Sequence, residues 1–213
     1  ESMIGGGMEH TTATTFSSSA LHSSYARVIL LHELVHHWFG NSLTCSTWKD
    51  LWLNESFATF FELEYIAFAD GEDAYYRELK EQRLVYFETE EKNGRLGPIL
   101  NDKLSAEDRM FGEAGILTYY KGSLFVNYLK DLLGAESFYS VLKNYLSDAN
   151  LKYANVSTQS LLAKFPTESI FNFEKIFSDY LGLAGYPVVE IRELADGKFS
   201  IEQLEIDGRN FEA

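Results

Sequence analysis

Two histidines four residues apart, with a glutamate directly after the first, are the strongest chemical signal in this sequence. His32, Glu33 and His36 form the pattern His-Glu-x-x-His, and Glu55 follows His36 after eighteen intervening residues. On a helix, residues four apart lie one turn above each other, so both imidazoles can point at one metal ion. Glu33 lies one step round the helix and reaches beside the ion rather than onto it. Two histidines and a carboxylate form a ligand set that suits zinc.

The number of ligands separates a catalytic zinc from a structural one. Structural sites fill four positions with cysteine and histidine, whereas hydrolytic sites use three protein ligands and leave one position for water. His32, His36 and Glu55 leave that position open, and Cys45 is the only cysteine in the sequence. The sequence therefore predicts one catalytic Zn2+ ion, which lowers the pKa of a bound water from about 15.7 toward about 7. Glu33 is the candidate base that accepts the proton of this water.

Three further strings lie in a fixed order around these residues. Glu55 falls within WLNESFA (residues 52–58), GGME (residues 6–9) is separated from His32 by 22 residues, and YYKG occupies residues 119–122. Together with His-Glu-x-x-His, the strings resemble the gluzincin aminopeptidases of the alanyl/leucyl aminopeptidase family, whose motifs include Gly-x-Met-Glu-Asn and Tyr-x-Lys-Gly. One residue departs from the family pattern, because His10 stands where the family usually has Asn.

The resemblance implies roles for residues outside the predicted metal site. Tyr119 would be the catalytic tyrosine, whose hydroxyl stabilises the oxyanion of the tetrahedral intermediate. Glu9 would bind the free α-ammonium group of a peptide, while Gly6 and Gly7 would let the substrate backbone approach closely. The implied function is a zinc-dependent metalloaminopeptidase that hydrolyses the N-terminal peptide bond of peptides with a free N-terminus.

Two alternative functions remain open from the sequence. One is a hydrolase of the leukotriene-epoxide hydrolase type, because such enzymes also carry Gly-Gly-Met-Glu and Tyr-x-Lys-Gly patterns. The other is a non-catalytic peptide-binding module that has retained the fold. The presence of all three predicted ligands, the predicted base and the tyrosine argues against lost catalysis.

Composition excludes some classes of partner. The chain has 213 residues, 46% of them hydrophobic, which is enough for one large domain or one domain and a fragment. Its 18 basic and 32 acidic residues give a formal charge of -14, which argues against nucleic-acid binding and favours cationic ligands. No run of eighteen apolar residues occurs, so we expect no membrane span in this piece. A single cysteine permits no internal disulfide, which suits a cytoplasmic location.

The resemblance also predicts how the chain is divided. We expect residues 1–185 to form a catalytic domain that is truncated at its N-terminus, because the GGME string lies almost at the start. Residues 186–213 are expected to begin a truncated β-sandwich domain, with strands at 188–194 and 198–202 joined by a turn at Asp196 and Gly197. The remaining N- and C-terminal domains of the full-length protein would then be partners of this piece.

Apolar spacing and turn residues predict a mainly α (α+β) fold, and the resemblance specifies a helical, thermolysin-like zincin catalytic domain. The threonine-rich stretch 8–16 is expected to form an extended edge strand beside the two helices that hold the zinc. The predicted helices cover residues 25–39, 49–69, 72–92, 114–133, 135–148, 158–165 and 172–181.

Overall fold

A computed structural model describes residues 6–94, 96–195 and 197–204 of the chain. Most of the described residues before position 183 lie in helices, which confirms the mainly α class. The α-helices are α1 (Ser18–Leu21), α2 (Ala26–Val35), α3 (Trp52–Asp70), α4 (Glu72–Asn93), α5 (Ala106–Met110), α6 (Gly122–Leu133), α7 (Ala135–Ser147), α8 (Thr158–Leu162) and α9 (Phe173–Gly182). A short 3-10 helix, Trp48–Asp50, precedes α3, and a π-helix, Leu117–Lys121, leads directly into α6.

The strands of the described chain are short and pair two by two. They are β1 (Gly7–Met8), β2 (Thr15–Phe16), β3 (Leu43–Cys45), β4 (Ala154–Val156), β5 (Val188–Glu193) and β6 (Phe199–Leu204). β1 and β2 pair antiparallel, with Gly7 opposite Phe16, and β5 pairs antiparallel with β6. β3 and β4 pair in parallel, with Leu43 opposite Ala154, and so join two distant parts of the sequence.

Helix α3 lies at the centre of the core and contacts α2, α4 and α6. Its first nine residues are all buried, including Trp52 and Phe57. A helix segment that is buried on all sides must be surrounded by other elements. Each large apolar side chain buried in this way stabilises the folded state by about 1.5 to 3 kcal/mol relative to an exposed one. The central position of α3 holds Glu55, in the first turn of the helix, inside a rigid environment.

The predicted helices are confirmed, with differences at some boundaries. The helix that carries the two histidines ends earlier than expected, because α2 stops at Val35 rather than at residue 39. His36 still donates from its backbone nitrogen to the His32 carbonyl at 3.2 Å, and its own carbonyl then accepts from Asn41. Gly40 permits this exit, since it has a φ of +149° and a β-carbon there would lie 2.9 Å from the His36 carbonyl oxygen.

Two other predicted elements have a different form. The stretch 8–16 was expected to be one edge strand, but β1 and β2 contain two residues each and the chain turns back between them. The helix expected at 114–133 has π geometry at its start, where the Gly122 backbone nitrogen donates to the carbonyl of Leu117, five residues earlier. The short helices α1 and α5 and the β3–β4 pair were not predicted.

The C-terminal hairpin matches the two strands expected after residue 186. Residues 205–213, at the end of the predicted β-sandwich segment, lie outside the described residues, and so does Asp196 in the predicted turn. The first five residues of the predicted catalytic domain also lie outside them. None of the helices in the described parts of the chain has both the length and the apolar character needed to cross a bilayer.

Candidate metal centre and active site

Helices α2 and α3 bring the three predicted zinc ligands together. The Nε2 atom of His32 lies 3.1 Å from Glu55 Oε2, and the Nε2 atom of His36 lies 3.3 Å from the same oxygen. One donor atom from each of the three side chains falls within 4.8 Å of the others. His36 and Glu55 are buried, and the His32 side chain is 12% exposed. The arrangement follows from the four-residue spacing on α2 and from the packing of α2 against α3.

The Nδ1 atom of each imidazole, which points away from Glu55, forms a hydrogen bond with another part of the protein. His32 Nδ1 donates to Glu62 Oε1 at 2.5 Å, and His36 Nδ1 donates to the backbone carbonyl of Phe39 at 3.0 Å. These bonds fix both rings and direct both Nε2 atoms toward Glu55. Sequence reasoning missed Glu62, although it lies seven residues after Glu55 and therefore on the same face of α3.

Charges around the three side chains favour a cation among them. Burial would lower the pKa of His32, but Glu55 and Glu62 raise it to about 10. Burial would likewise raise the pKa of Glu55, but hydrogen bonds with the two histidines lower it to about 2. The raised pKa values of the two imidazoles and the lowered pKa of Glu55 have one cause, the close pairing of these rings with carboxylates, which favours positive charge beside Glu55 and Glu62.

The donor set fits zinc. Two imidazole nitrogens and one carboxylate oxygen are the ligands of hydrolytic zinc sites, and both imidazoles have the outer hydrogen bonds that metal-bound histidines usually make. His32, His36 and Glu55 would hold the ion.

Glu33 lies on α2 directly after His32. Its side chain is buried, on the face of α2 that meets β1. A β-carbon on Gly7 would lie 2.4 Å from Glu33 Oε1, so the strand backbone packs directly on this carboxylate. Burial raises the pKa of Glu33, and the carboxylates of Glu9 and Glu55 raise it further, whereas the two histidines oppose the shift. A carboxyl group with a raised pKa is suited to taking up and releasing a proton.

Glu9 follows β1 and lies beside Glu33. One ligand atom each of Glu9, Glu33 and His36 falls within 4.8 Å of the others. The side-chain amide of Asn41 donates to the Glu9 backbone carbonyl at 2.7 Å, which ties the end of β1 to the loop after α2. Two carboxylates so close together favour a cationic group between them. Gly6, at the start of this segment, has a φ of +59°, a conformation that glycine adopts readily.

Tyr119 reaches the site from the π-helix. Its ring lies nearly parallel to the His32 ring, with an angle of 24° and 6.0 Å between the centroids. Burial raises the pKa of Tyr119, and the carboxylates of Glu55, Glu33 and Glu9 raise it further. The hydroxyl therefore stays protonated at neutral pH and can donate a hydrogen bond.

All of the predicted site residues line one cavity of about 1280 Å3. Tyr120, the residue after Tyr119, also lines it. Cys45 lines it too, and burial raises the pKa of the thiol to about 11, which keeps it protonated and unreactive. His10 is exposed outside this cavity, where its Nδ1 lies 3.0 Å from Thr15 Oγ1 in the β1–β2 hairpin.

Known proteins share this sequence pattern. The profile of the "Peptidase family M1 domain" matches residues 1–180. Aminopeptidase M1-A of Oryza sativa subsp. japonica is 32% identical over 213 residues, which cover 94% of this chain and 23% of that protein. Tricorn protease-interacting factor F2 of Thermoplasma volcanium is 30% identical over 219 residues, which cover 95% of this chain and 27% of that protein. The chain thus spans about a quarter of the length of these curated relatives.

Solved structures share the fold. An M1 zinc metallopeptidase mutant from Deinococcus radiodurans, bound to a Tyr-Ser-Ala substrate, matches with a TM-score of 0.62 and 25% identity, over 84% of this chain and 37% of that one. Yeast LTA4 hydrolase matches with a TM-score of 0.72 over 85% of this chain and 30% of that one, but at 21% identity this likeness concerns the fold alone. The family suggested by the motifs is confirmed, and the chain belongs to peptidase family M1.

Proposed function

We propose that this chain carries the catalytic centre of a zinc aminopeptidase that removes the N-terminal residue from peptides. The observation that carries the proposal is the position of Glu9, whose carboxylate lies within 4.8 Å of donor atoms of Glu33 and His36, beside the three candidate ligands. An amine-binding carboxylate at that distance would place the first peptide bond of a substrate next to the predicted metal and base. The names of the relatives and the zinc metallopeptidase structures support the same reading.

In this proposal His32, His36 and Glu55 hold one zinc ion. Zinc at this position supplies Lewis-acid polarisation and lowers the pKa of water. The buried Glu33 carboxylate accepts the proton of the attacking water and passes it to the departing amine. The protonated Tyr119 hydroxyl donates to the oxygen on which negative charge develops.

Glu9 would bind the α-ammonium group of the substrate. A charge-assisted hydrogen bond of this kind is typically worth about 1.5 to 3 kcal/mol, which is enough to favour a free amino terminus over a blocked one. The bond from Asn41 to the Glu9 backbone carbonyl holds the chain segment from which this side chain extends. Gly6 and Gly7 shape the same strand. Gly7 leaves room for the Glu33 carboxylate, and the φ of +59° at Gly6 favours glycine, so both positions keep the backbone beside the cavity free of side chains.

The proposal extends to the organisation of the protein. Residues 1–185 would belong to the catalytic domain, and residues 186–213 would begin a β-sandwich. Support comes from the β5–β6 hairpin, which exposes Ile191 and Phe199 although a hairpin alone is marginally stable in water. Further N- and C-terminal domains of the same protein, peptide substrates and a cytoplasmic location complete the proposal.

A substrate comparison on the complete protein tests the activity. We expect hydrolysis of an aminoacyl anilide, at least tenfold slower hydrolysis of its N-acetylated form, loss of activity with a chelator, and recovery when zinc is added back. The stoichiometry of bound zinc and anomalous scattering at the zinc edge would report the ion and its ligands. Turnover of a fatty-acid epoxide without anilide hydrolysis would favour the epoxide hydrolase alternative. Zinc and peptide binding with neither reaction would favour a non-catalytic module.

A further inference from the structure

The turn that carries Tyr119 is attached to the helix that carries Glu55 by one buried serine. Ser56 follows Glu55 in the first turn of α3 and is fully buried. Its hydroxyl donates to the backbone carbonyl of Thr118 at 2.6 Å. Thr118 immediately precedes Tyr119. The hydrogen bond therefore connects the residue after Glu55, a candidate zinc ligand, to the residue before Tyr119, the candidate oxyanion donor.

A glycine on the other side of the same contact makes the close approach possible. A β-carbon on Gly122 would lie 1.8 Å from Ser56 Oγ and 2.7 Å from Ser56 Cβ. These distances are far below van der Waals contact, so only glycine fits while the serine keeps its position. Ser56 therefore touches the chain on either side of Tyr119, at Thr118 in the π-helix and at Gly122, the first residue of α6.

The π geometry explains why this turn needs a fixed attachment. A π-turn holds one residue more than an α-turn, so it changes the direction in which its side chains point. In this protein the widened turn directs Tyr119 over the His32 ring, at 6.0 Å between centroids. Isolated π-turns are rare and are stabilised by their surroundings, and the Ser56 hydroxyl provides a directed bond of that kind.

We infer that Ser56 is a positioning residue, which fixes the Tyr119 hydroxyl relative to Glu55 through its contacts with Thr118 and Gly122. The inference rests on the proposed function, because it assigns Tyr119 the role of oxyanion donor. Ser56 itself touches neither substrate nor metal in this account. Its effect on turnover passes through Tyr119 and through no other group.

The first test compares Ser56→Ala with Ser123→Ala in the complete protein. Ser123 is also fully buried, but its hydroxyl donates to Gln82 on α4 at 3.4 Å rather than to the turn of Tyr119. We expect Ser56→Ala to lower kcat roughly 10- to 100-fold with KM within about twofold and zinc content unchanged, because small misplacements of a catalytic group have effects of this size. Ser123→Ala should keep kcat within about twofold of wild type, even if both variants lose thermal stability.

The second test combines Ser56→Ala with Tyr119→Phe. If Ser56 acts only through the tyrosine hydroxyl, the serine change should lower kcat no further once that hydroxyl is gone. A purely structural role would lower kcat by the same factor in both backgrounds and would overturn the inference. An unchanged kcat in Ser56→Ala alone would overturn it as well.

The third test does not depend on turnover. With 3-fluorotyrosine placed at position 119, the fluorine resonance should shift or broaden in Ser56→Ala and stay unchanged in Ser123→Ala. An unchanged resonance in Ser56→Ala would refute the positioning role. Absence of aminopeptidase activity in the wild-type protein would instead refute the proposed function, so the two failures can be told apart.

A fourth variant covers the case in which Ser56→Ala does not fold. The double change Ser56→Gly with Gly122→Ala removes the serine side chain and puts a methyl group close to the place of its hydroxyl oxygen, so the contact stays filled but loses the hydrogen-bond donor. We expect this protein to fold, to bind zinc and to show the same loss of kcat. Wild-type kcat in this variant would overturn the inference, whereas Gly122→Ala alone should be strongly destabilised by its overlap with Ser56.

Discussion

Gly7 and Glu33 are in contact so close that a β-carbon on Gly7 would fall 2.4 Å from Glu33 Oε1 and 2.5 Å from the carboxyl carbon. Strand β1, which leads to the proposed amine anchor Glu9, therefore also packs against Glu33, the proposed base. A side chain at position 7 would have to displace the Glu33 carboxylate, because the strand backbone is held by its pairing with β2.

The first prediction concerns Gly7→Ala. We expect a loss in kcat of roughly 100-fold or more, because the carboxylate would move by a large part of an ångström or more from its reacting position. Zinc content should stay at the wild-type level, since the three atoms nearest to the added β-carbon all belong to Glu33 and none to a candidate ligand. Steady-state kinetics and metal analysis of the same preparation would check both expectations.

Gly6→Ala is the matched control for that change. A β-carbon at Gly6 would meet nothing within 4 Å, but the φ of +59° is unfavourable for alanine. We expect a loss of roughly 1 to 2 kcal/mol in the free energy of unfolding and a much smaller loss of kcat than in Gly7→Ala, because the added methyl group does not touch Glu33. Equal losses of kcat in the two variants would show that strand conformation, rather than contact with Glu33, limits catalysis.

The second prediction concerns Glu62, which accepts the Nδ1 proton of His32 at 2.5 Å. Glu62→Gln keeps an acceptor oxygen at this place but removes its charge, so the imidazole should become a weaker ligand. We expect zinc affinity to fall by about 10- to 100-fold, measured by competition with a chromogenic chelator.

Glu64→Gln provides the comparison for Glu62. Glu64 lies two residues further along α3 and binds Lys130 at 2.6 Å, on a different face of the helix. Its replacement should leave zinc affinity at the wild-type value. If Glu62→Gln also bound zinc with wild-type affinity, the carboxylate would have no part in tuning His32.

Local spacing explains how much of the site could be predicted. His32 and His36 are one helical turn apart, and Glu55 lies on the next long helix, so periodicity and motif order were enough to group them. Glu62 could have been found with the same rule, since it lies two turns after Glu55. Helix ends were harder, because α2 stops at Val35 through hydrogen bonds and a glycine conformation that the apolar pattern does not encode.

Contacts between distant residues could not be predicted from one sequence. Ser56 and Thr118 are 62 positions apart, and the apolar pattern of residues 114–133 is as compatible with an α-helix as with the π-turn that forms. The parallel pairing of β3 with β4 depends on how the helices between them pack. Such features arise from tertiary structure, which overrides local propensity.

The third prediction concerns Tyr119, whose hydroxyl is protonated at neutral pH. If it donates to the developing oxyanion only in the transition state, Tyr119→Phe should lower kcat by roughly 100- to 1000-fold and leave KM within a few fold. Tyr145→Phe serves as the control, because this buried hydroxyl has no hydrogen-bond partner among the described residues. Its removal should leave kcat unchanged, and an unchanged kcat in Tyr119→Phe would remove that residue from the mechanism.

The fourth prediction concerns Glu9 and the recognition of a free amino terminus. Glu9→Gln removes the negative charge that would pair with the α-ammonium group but keeps the size of the side chain and the Asn41 bond to its backbone carbonyl. We expect KM for an aminoacyl anilide to rise by about 10- to 150-fold, which corresponds to about 1.5 to 3 kcal/mol. The preference for the free over the N-acetylated anilide should shrink by a similar factor.

His10→Asn is the neighbouring control for Glu9→Gln. The change restores the residue that is usual in the family. His10 is exposed, and its ring forms a hydrogen bond with Thr15 and does not line the cavity. We expect it to keep KM and the free-to-acetylated ratio within a few fold of wild type, because no charge near the α-ammonium group changes. If Glu9→Gln kept the wild-type ratio, the amine would be bound by another group, and the carboxylate beside Glu33 would need a different role.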